Sequence, residues 1–263
     1  MPSPAVSPEA GAAQEVLDAA RATLAGETLR FAVDVRSADP DDSLPPMTGT
    51  GQVSFGDPSQ FRFASPGVAG TVPASEVIYD GEHVFTRGRD APYLPEHTWV
   101  VLDIKPGTVG QDMFIRQNGD YSLVLVAPLG VTSADAAGEE TIGDRAVTRY
   151  VAQVDIEAAR PHIPESLLAA YGSHVDRFNA AGVPLTHELE VWVDDEGHIA
   201  RTRYEQELQQ ELQGQDVDAL VVTYDFEDYG APMEAEPPPG DEVLTVEEAR
   251  ERYQESVESP NPS

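Results

Sequence analysis

The sequence predicts an α+β protein, in which a mainly antiparallel, curved sheet forms an incomplete β-barrel packed over two principal helices. Three observations support this prediction. Apolar and polar residues alternate in the C-terminal third, several short apolar runs follow one another between glycine, proline and aspartate, and two longer segments carry apolar residues at helical spacing. A sheet with one apolar face can bury that face by curving around helices.

The two principal helices are predicted at about Pro8–Ala25 and Pro164–Ala181. Ser7 suits the N-cap of the first helix, with Pro8 at its first position, and Gly26 ends it. The apolar stripe of this helix comprises Ala13, Val16, Leu17, Ala20 and Leu24. The stripe of the second helix comprises Leu167, Leu168, Tyr171, Val175 and Phe178.

Strands are predicted where apolar residues alternate between turn residues. In the first strand, from Thr28 to Arg36, one face carries Leu29, Phe31, Val33 and Val35. A meander of further strands is predicted at about Thr50–Phe55, Gln60–Ala64, Glu76–Asp80, His83–Arg87, Thr98–Asp103, Thr141–Ile142 and Ala146–Val154. The face expected to be buried carries Phe31, Val33, Val53, Phe61, Phe63, Tyr150, Val154, Val191 and Phe226.

Three long antiparallel strands are predicted near the C-terminus, at about 188–193, 198–210 and 217–226. The turn Asp194–Gly197 joins the first two, because Gly197 can take the positive φ that closes a hairpin. The proline run 237–239 stops the third, since proline cannot donate to a strand ladder. Thr245 and Glu248 form a capping-box pattern, which predicts a short helix to about Glu255.

The segment from Gly107 to Gly130 leaves two interpretations open. Asp120 could cap a short helix carrying Leu123, Leu125 and Val126, whereas Val124–Val126 would also suit a strand. For the whole chain we predict a flexible linker at 1–11, a single domain at 12–257 and a disordered tail at 258–263.

Composition excludes several classes of function. The chain has 47 acidic against 16 basic residues, a net charge of −31, which disfavours a nucleic-acid partner. It has no cysteine, so disulfides, thiolate metal sites and cysteine nucleophiles are excluded. No apolar run approaches the ~20 residues that span a bilayer. A solvated acidic surface explains the charge better than a specific store of cations.

No motif indicates catalysis or a metal site. The chain lacks the G-x-S-x-G nucleophile motif, and Ser173 and His174 are neighbours on a predicted helix, so that their side chains diverge. The six histidines lack zinc-site spacing, and the acidic turns 39–42 and 194–196 lack the calcium-loop pattern. We therefore predict a protein that is not an enzyme and holds neither a cofactor nor a metal.

Several weak motifs, in their order and spacing, resemble one known family. They are Val77–Gly81 followed by His83–Phe85, Thr98–Asp103, Ile142–Tyr150, Trp192–Gly197, then Arg201 and Arg203, Tyr224–Pro232 and Pro237–Val243. Together they are similar to the LolA/LolB-like envelope lipoproteins of the LppX/LprAFG type, over most of the chain from Gly11 to Val243. The resemblance implies a half-barrel draped over helices, with an apolar cavity between them. Periodicity alone also allows a filled core.

The resemblance further implies a carrier that binds lipid or lipoprotein acyl chains and moves them across the cell envelope. The expected cavity residues are Phe31, Val33, Phe63, Phe85, Trp99, Tyr150 and Phe226. For the two tryptophans, Trp99 and Trp192, a role as a core anchor is the alternative. The second hypothesis for the protein is an envelope interaction or sensor module that uses the same fold without a lipid.

The resemblance also carries expectations about partners and location. We expect a monomer whose partners are a lipid or acylated ligand and an envelope transporter or membrane protein. The related lipoproteins start with a signal and a lipidated cysteine, and this sequence shows neither. A mature form, or a start assigned too late, explains this better than a protein that is not exported. The expected location is therefore extracytoplasmic, with a membrane anchor in the native precursor.

Overall fold

The structure, a computed structural model, is built around one sheet of twelve strands. It describes residues 8–42, 44–56, 59–68, 73–88, 94, 98–103, 124–165, 168, 171–172, 175–176, 179–180, 185–212 and 215–258. The strands are β1 (Thr28–Ser37), β2 (Met47–Ser54), β3 (Gln60–Ser65), β4 (Ser75–Tyr79), β5 (His83–Gly88), β6 (Trp99–Asp103), β7 (Val131–Ile142), β8 (Arg145–Asp155), β9 (Thr186–Asp194), β10 (Ile199–Leu212), β11 (Gln215–Glu227) and β12 (Val243–Thr245).

The sheet has two meanders joined in its middle. Its order is β12-β6-β5-β4-β3-β2-β1-β11-β10-β9-β8-β7. Neighbours pair antiparallel, apart from β12, which runs parallel to β6. Within the part of the chain that the structure describes, β12 and β7 pair on one side only, so the sheet does not close into a barrel. The predicted fold class is confirmed.

Three helices match predicted ones where the structure describes them, and a fourth, the short helix Ile156–Ala159, was not predicted. They are α1 (Pro8–Ala25), α2 (Ile156–Ala159), α3, which consists of the helical residues described between 165 and 180, and α4 (Val246–Glu258). Residues 124–126 are also helical and continue into the 3₁₀ turn Ala127–Gly130. This confirms the helical interpretation of that short segment, whereas Asp120 and Leu123 lie outside the described residues.

Several predicted boundaries change. Residues 8–11, within the predicted linker, belong to α1, and residues 1–7 lie outside the described part. Glu258, predicted to begin the tail, ends α4, and residues 259–263 are likewise outside it. Strand β7 begins at Val131, well before the predicted Thr141–Ile142. Its side chains are almost all exposed, so no apolar alternation marks it in the sequence.

The helix α1 packs on one face of the sheet, which we call the inner face. Val16 and Ala20 of α1 belong to the main core cluster together with Leu29 and Phe31 of β1. Tyr171 of α3 and Ala249 of α4 belong to the same cluster. The core therefore lies between the inner face and the helices. No helix among the described residues combines the length and apolar character needed to cross a membrane.

Candidate functional site

The candidate site is an array of aromatic side chains on the inner face, which we call the aromatic floor. It consists of Phe31, Phe61, Phe63, Tyr224 and Phe226. The ring centroid of Phe31 lies 6.1 Å from that of Phe61, 6.2 Å from that of Phe63 and 5.9 Å from that of Tyr224. Tyr224 and Phe226 stack at 6.1 Å. Strand pairing builds this array, because Phe31 lies opposite Phe226 across β1 and β11.

Two glycines of β2 allow the floor to lie flat. Gly51 is in register with Phe31 on one side and with Phe63 on the other. A Cβ on Gly51 would come within 2.3 Å of the Phe31 ring, and one on Gly49 within 2.3 Å of the Phe63 ring. The rings therefore lie across β2 in the space that side chains would otherwise occupy. Neither glycine was predicted from the sequence as part of the site, although Gly51 within the predicted strand Thr50–Phe55, with Gly49 two residues before it, is the available signal.

The inner face changes from buried to partly exposed along β1. Leu29 is 0% exposed and Phe31 is 3% exposed, whereas Val33 and Val35 are only partly buried. Phe63 of β3 and Tyr204 of β10 are also partly buried beside the core cluster. One end of the floor is thus sealed by the core, and the other end offers apolar surface that a ligand could cover.

A second row of inner-face residues runs beside the floor. Pairing across β1, β11, β10, β9 and β8 aligns Val33, Tyr224, Thr202, Val191 and Tyr150. The Tyr150 hydroxyl donates a hydrogen bond to Glu15 of α1. Burial, followed by this bond to Glu15, raises the pKa of Tyr150 to about 12, so the phenol is neutral at physiological pH. This contact ties α1 to the sheet beside the floor.

The structure brings together five of the seven expected cavity residues. Phe31, Phe63 and Phe226 belong to the floor, and Val33 and Tyr150 belong to the adjacent row. Phe85 and Trp99 instead lie in a separate cluster with Ile78 and Ala235. Their strand neighbours Val84 and Val100 point into the main core, so Phe85 and Trp99 point to the opposite, outer face.

Residues 228–243 cross this outer face as a strap. Gln52 of β2 donates to the Pro232 carbonyl at 2.6 Å and accepts from the Glu234 amide at 2.9 Å. Met233 and Ala235 then pack in the cluster of Phe85 and Trp99. The strap leads into β12, where Val243 pairs with Trp99. Trp99 therefore serves as a core anchor beneath the strap, the alternative given for it above.

The outer face over β8 to β11 carries ion pairs beside a small apolar cluster of Val147, Trp192 and Ala200, in which Trp192 is a core anchor. Arg149 and Arg203 both donate to Glu190, and Arg201 lies 2.5 Å from Asp225. Burial alone would raise the pKa of Glu190, but the hydrogen bonds from the two arginines outweigh burial and lower the pKa. Glu190 is thus held as an ion-paired carboxylate, which is unsuited to proton transfer near neutral pH.

The outer face also carries an open trough of about 460 Å³. Its lining residues are Ala32, Val33, Asp34, Thr48, Gly49, Thr50, Pro66 and Asp225. The aspartates and threonines make this lining more polar than the aliphatic or aromatic walls that a site for acyl chains needs. The side chains of Ala32 and Asp225, which pair across β1 and β11, alternate with those of Val33 and Tyr224 and therefore lie on the side of the sheet opposite the floor.

Metal sites and catalytic sites each require a particular grouping of side chains. Among those residues, no three His, Asp or Glu side chains are grouped so that they could hold a metal ion. The Asp194 carboxylate accepts a hydrogen bond from the His198 amide at 2.8 Å, which is ordinary turn geometry. Ser173 and His174 lie outside the described residues. The arrangement suits the binding of an apolar ligand.

Comparison with solved structures supports the fold. LprF from Mycobacterium bovis is 14% identical, and the match covers 89% of this chain and 100% of LprF at a TM-score of 0.55. Lipoprotein LppX from Mycobacterium tuberculosis is 14% identical over 86% of this chain and 98% of LppX, at 0.49. A LolA superfamily protein from Nitrosomonas europaea is 13% identical over 88% of this chain and 96% of its own, at 0.28.

The fold assignment rests on LprF, whose TM-score is the highest of these three. No protein-family model matches the sequence, and no curated protein does. The chain has the open half-barrel fold of LprF, as the sequence resemblance predicted.

Proposed function

We propose that this protein binds the acyl chains of a lipid or lipoprotein on its inner face and carries them across the cell envelope without catalysis. The observation that carries the proposal is the aromatic floor, whose rings lie across Gly49 and Gly51 and whose member Phe63 is partly exposed. The proposed contact residues are Phe31, Val33, Phe63, Tyr150 and Phe226. Phe85 and Trp99 are no longer among them, because they face the strap.

The energetics of acyl chains fit such a surface. Burying one methylene contributes about 0.8 kcal/mol, so two long chains offer tens of kcal/mol before ordering costs are subtracted. A carrier must release its cargo. A site that is sealed at one end and partly exposed at the other limits the apolar area of the ligand that is buried, and so limits how tightly the ligand binds. Partial exposure of Val33, Val35 and Phe63 supports this kind of loose binding.

The surface charge constrains where the carrier delivers its cargo. A net charge of −31 repels anionic membrane surfaces, so direct collision with such a bilayer is an inefficient route. The proposal therefore includes an envelope transporter or membrane protein as the acceptor. It also includes an extracytoplasmic location, a lipid anchor on the native precursor and a monomeric state, as the family resemblance implies.

The alternative, an interaction or sensor module, would need an outer apolar patch to dock a partner protein. Among the described residues, the large hydrophobic side chains that are exposed are Leu168 and Tyr253, one on α3 and one on α4. The apolar cluster of the outer face is instead covered by the strap. These observations favour the carrier.

The proposal is tested by extracting the purified protein with organic solvent and analysing the extract by mass spectrometry. A fluorescent fatty acid is titrated into the delipidated protein in parallel. We expect co-purified acyl lipid, saturable probe binding and displacement of the probe by added lipid. An empty extract together with no probe binding would overturn the carrier and leave the interaction module as the leading hypothesis.

A further inference from the structure

Three polar side chains on the outer face form a row directly behind the aromatic floor. They are in register across β1, β2 and β3, and they are Arg30, Gln52 and Arg62. The neighbouring row, which pairs across the same three strands, contains Phe31, Gly51 and Phe63 of the inner face. Because side chains alternate between the two faces of a strand, a contact that fixes the outer row also fixes the backbone that carries the floor.

All three side chains of this outer row contact one residue of the strap, Glu234. Arg30 donates to the Glu234 carboxylate at 3.5 Å, and Arg62 donates to the Glu234 carbonyl oxygen at 3.2 Å. Gln52 accepts from the Glu234 amide at 2.9 Å and donates to the Pro232 carbonyl oxygen at 2.6 Å. Gln52 is 5% exposed, so its two bonds are shielded from water, whereas the side chains of Arg30 and Glu234 are exposed. Gln52 is therefore the principal tie between the strap and the strands that carry the floor.

This tie opposes changes in the curvature of the sheet. The inner face of a half-barrel is concave, so stronger bending moves the outer side chains of neighbouring strands apart and weaker bending moves them together. One strap residue bonded to three neighbouring strands opposes both changes. On the inner face, β2 has no side chain at Gly49 or Gly51 that could resist bending, and the rings of Phe31 and Phe63 lie there instead. The strap therefore supports the shape of the floor from behind.

The part of the floor that is supported in this way is flat. The planes of the Phe31, Phe61 and Phe63 rings differ by 21° or less, and their centroids form a triangle with sides of 6.1, 6.2 and 6.3 Å. Successive methylenes of an extended, unbranched chain can all touch a flat wall, whereas methyl branches hold neighbouring methylenes away from it. A gap of about 0.5–1 Å already loses about a quarter to a half of the dispersion attraction. A flat wall of fixed shape thus favours unbranched chains.

We propose that Gln52, through its bonds to the strap, is a positioning residue for the bound chain, and that it keeps the floor flat so that the site selects unbranched acyl chains over methyl-branched ones. This inference rests on the proposed function. Gln52 does not touch the ligand, because its side chain lies on the face of the sheet opposite the floor. The residues that contact the chain and the residue that sets its preferred shape are thus on opposite sides of one sheet.

The test compares two fatty acids of equal backbone length on four forms of the full chain. Palmitic acid is unbranched and phytanic acid carries methyl branches, and each displaces a fluorescent fatty acid from the wild type, Q52M, Q52E and T28V. Methionine matches glutamine in length but loses both bonds to the strap, and glutamate keeps the acceptor for the Glu234 amide. T28V is the control, because it removes the 2.6 Å hydrogen bond from Thr28 to the Ala231 carbonyl of the strap, outside the row behind the floor.

We expect the wild type and T28V to bind palmitic acid more tightly than phytanic acid, and Q52M to reduce this ratio of Kd values by about threefold or more. Q52E should give an intermediate ratio. The urea midpoint of each form separates a general loss of stability from a change in selectivity. The inference would be overturned, and the carrier left intact, by a wild type without this preference, by an unchanged ratio in Q52M (or in Q52E, if Q52M does not fold), or by an equal reduction in T28V. Failure of the wild type to bind either fatty acid would overturn the carrier itself.

Discussion

At the scale of single residues, the glycines of β2 decide whether the aromatic floor exists. A Cβ added to Gly51 would lie 2.3 Å from the Phe31 ring and 2.8 Å from the Arg62 carbonyl oxygen. Neither neighbour can withdraw easily, since Phe31 is buried in the core and the Arg62 carbonyl belongs to the backbone of β3, which is paired with β2. A side chain at this position must displace the ring toward the ligand surface.

We therefore expect Gly51→Ala to lower the free energy of unfolding by about 1–3 kcal/mol, the usual effect of overpacking, and to weaken binding of a fluorescent fatty acid. Gly11→Ala is the matched control, because nothing lies within 4 Å of its Cβ and the position is helical. That control should stabilise the protein slightly. Chemical denaturation and probe titration measure both effects, and unchanged probe binding by Gly51→Ala would contradict the flat floor.

Phe61 and Phe63 provide a second comparison, because both belong to the floor and to β3 but differ in exposure. Phe61 is 2% exposed, whereas Phe63 is partly buried. We expect Phe61→Gln to cost several kcal/mol of stability, since it buries an unpaired amide in the core. Phe63→Gln should cost less stability and reduce lipid uptake more. Equal unfolding by both variants would indicate a filled core at Phe63 as well.

At the scale of elements, the sequence predicted the strands β1, β5 and β6 alike, but it indicated the inner face only where the two faces of a strand differ. In β1, alternation identified the inner face because its other side is polar. In β5 and β6, Val84 and Phe85, or Trp99 and Val100, are all buried, so alternation could not tell which face meets the helices. The strap covers the outer face of β5 and β6 through contacts between residues that are distant in sequence. For this reason the sequence placed Phe85 and Trp99 in the cavity, whereas they lie beneath the strap.

The junction of α1 with β8 supplies a prediction about pH. Burial and the bond to Glu15 raise the pKa of Tyr150 from its ordinary value of 10.0 to about 12. The neutral phenol is favoured in the folded state, so its stabilising effect is complete below pH 10 and is lost as the pH rises from 10 to about 12. We expect the urea midpoint to fall over this range, and to fall less in Tyr150→Phe.

Other buried tyrosines contribute to the alkaline loss as well, since burial also raises the pKa of Tyr171 and of Tyr229. Subtracting the Tyr150→Phe curve from that of the wild type isolates the contribution of Tyr150. Identical pH profiles for the two proteins would show that the contact between α1 and β8 adds nothing to the pH dependence.

At the scale of the whole molecule, net charge opposes folding. Forty-seven acidic side chains repel one another in the compact state, and the 16 basic residues offset only part of this. We expect the melting temperature to rise from low salt to molar salt, because added ions shorten the screening length from about 30 Å at 0.01 M to about 3 Å at 1 M. A melting temperature that stays flat would contradict this.

A charge-reduced variant is the matched control. Asp135, Glu139, Glu205 and Glu207 are exposed, and their amide replacements Asp135→Asn, Glu139→Gln, Glu205→Gln and Glu207→Gln remove four negative charges. This variant should melt at a higher temperature than the wild type at low salt, and the difference should shrink at high salt. The composition alone leads to this prediction, because with a net charge of −31 like-charge pairs far outnumber opposite-charge pairs.

The pairing of β1 with β11 can form only late during synthesis of the chain. The other antiparallel pairs join strands that are consecutive in the chain, although α2 and α3 lie between β8 and β9. Those pairs can form early, whereas Phe31 meets Phe226 only after nearly the whole chain has been made. Until then the aromatic side chains of β1 and β3 are exposed in the emerging polypeptide, which favours aggregation. Pulse-labelled hydrogen exchange during refolding should show the amides between β1 and β11 protected last, and their protection before that of the hairpins would contradict this order.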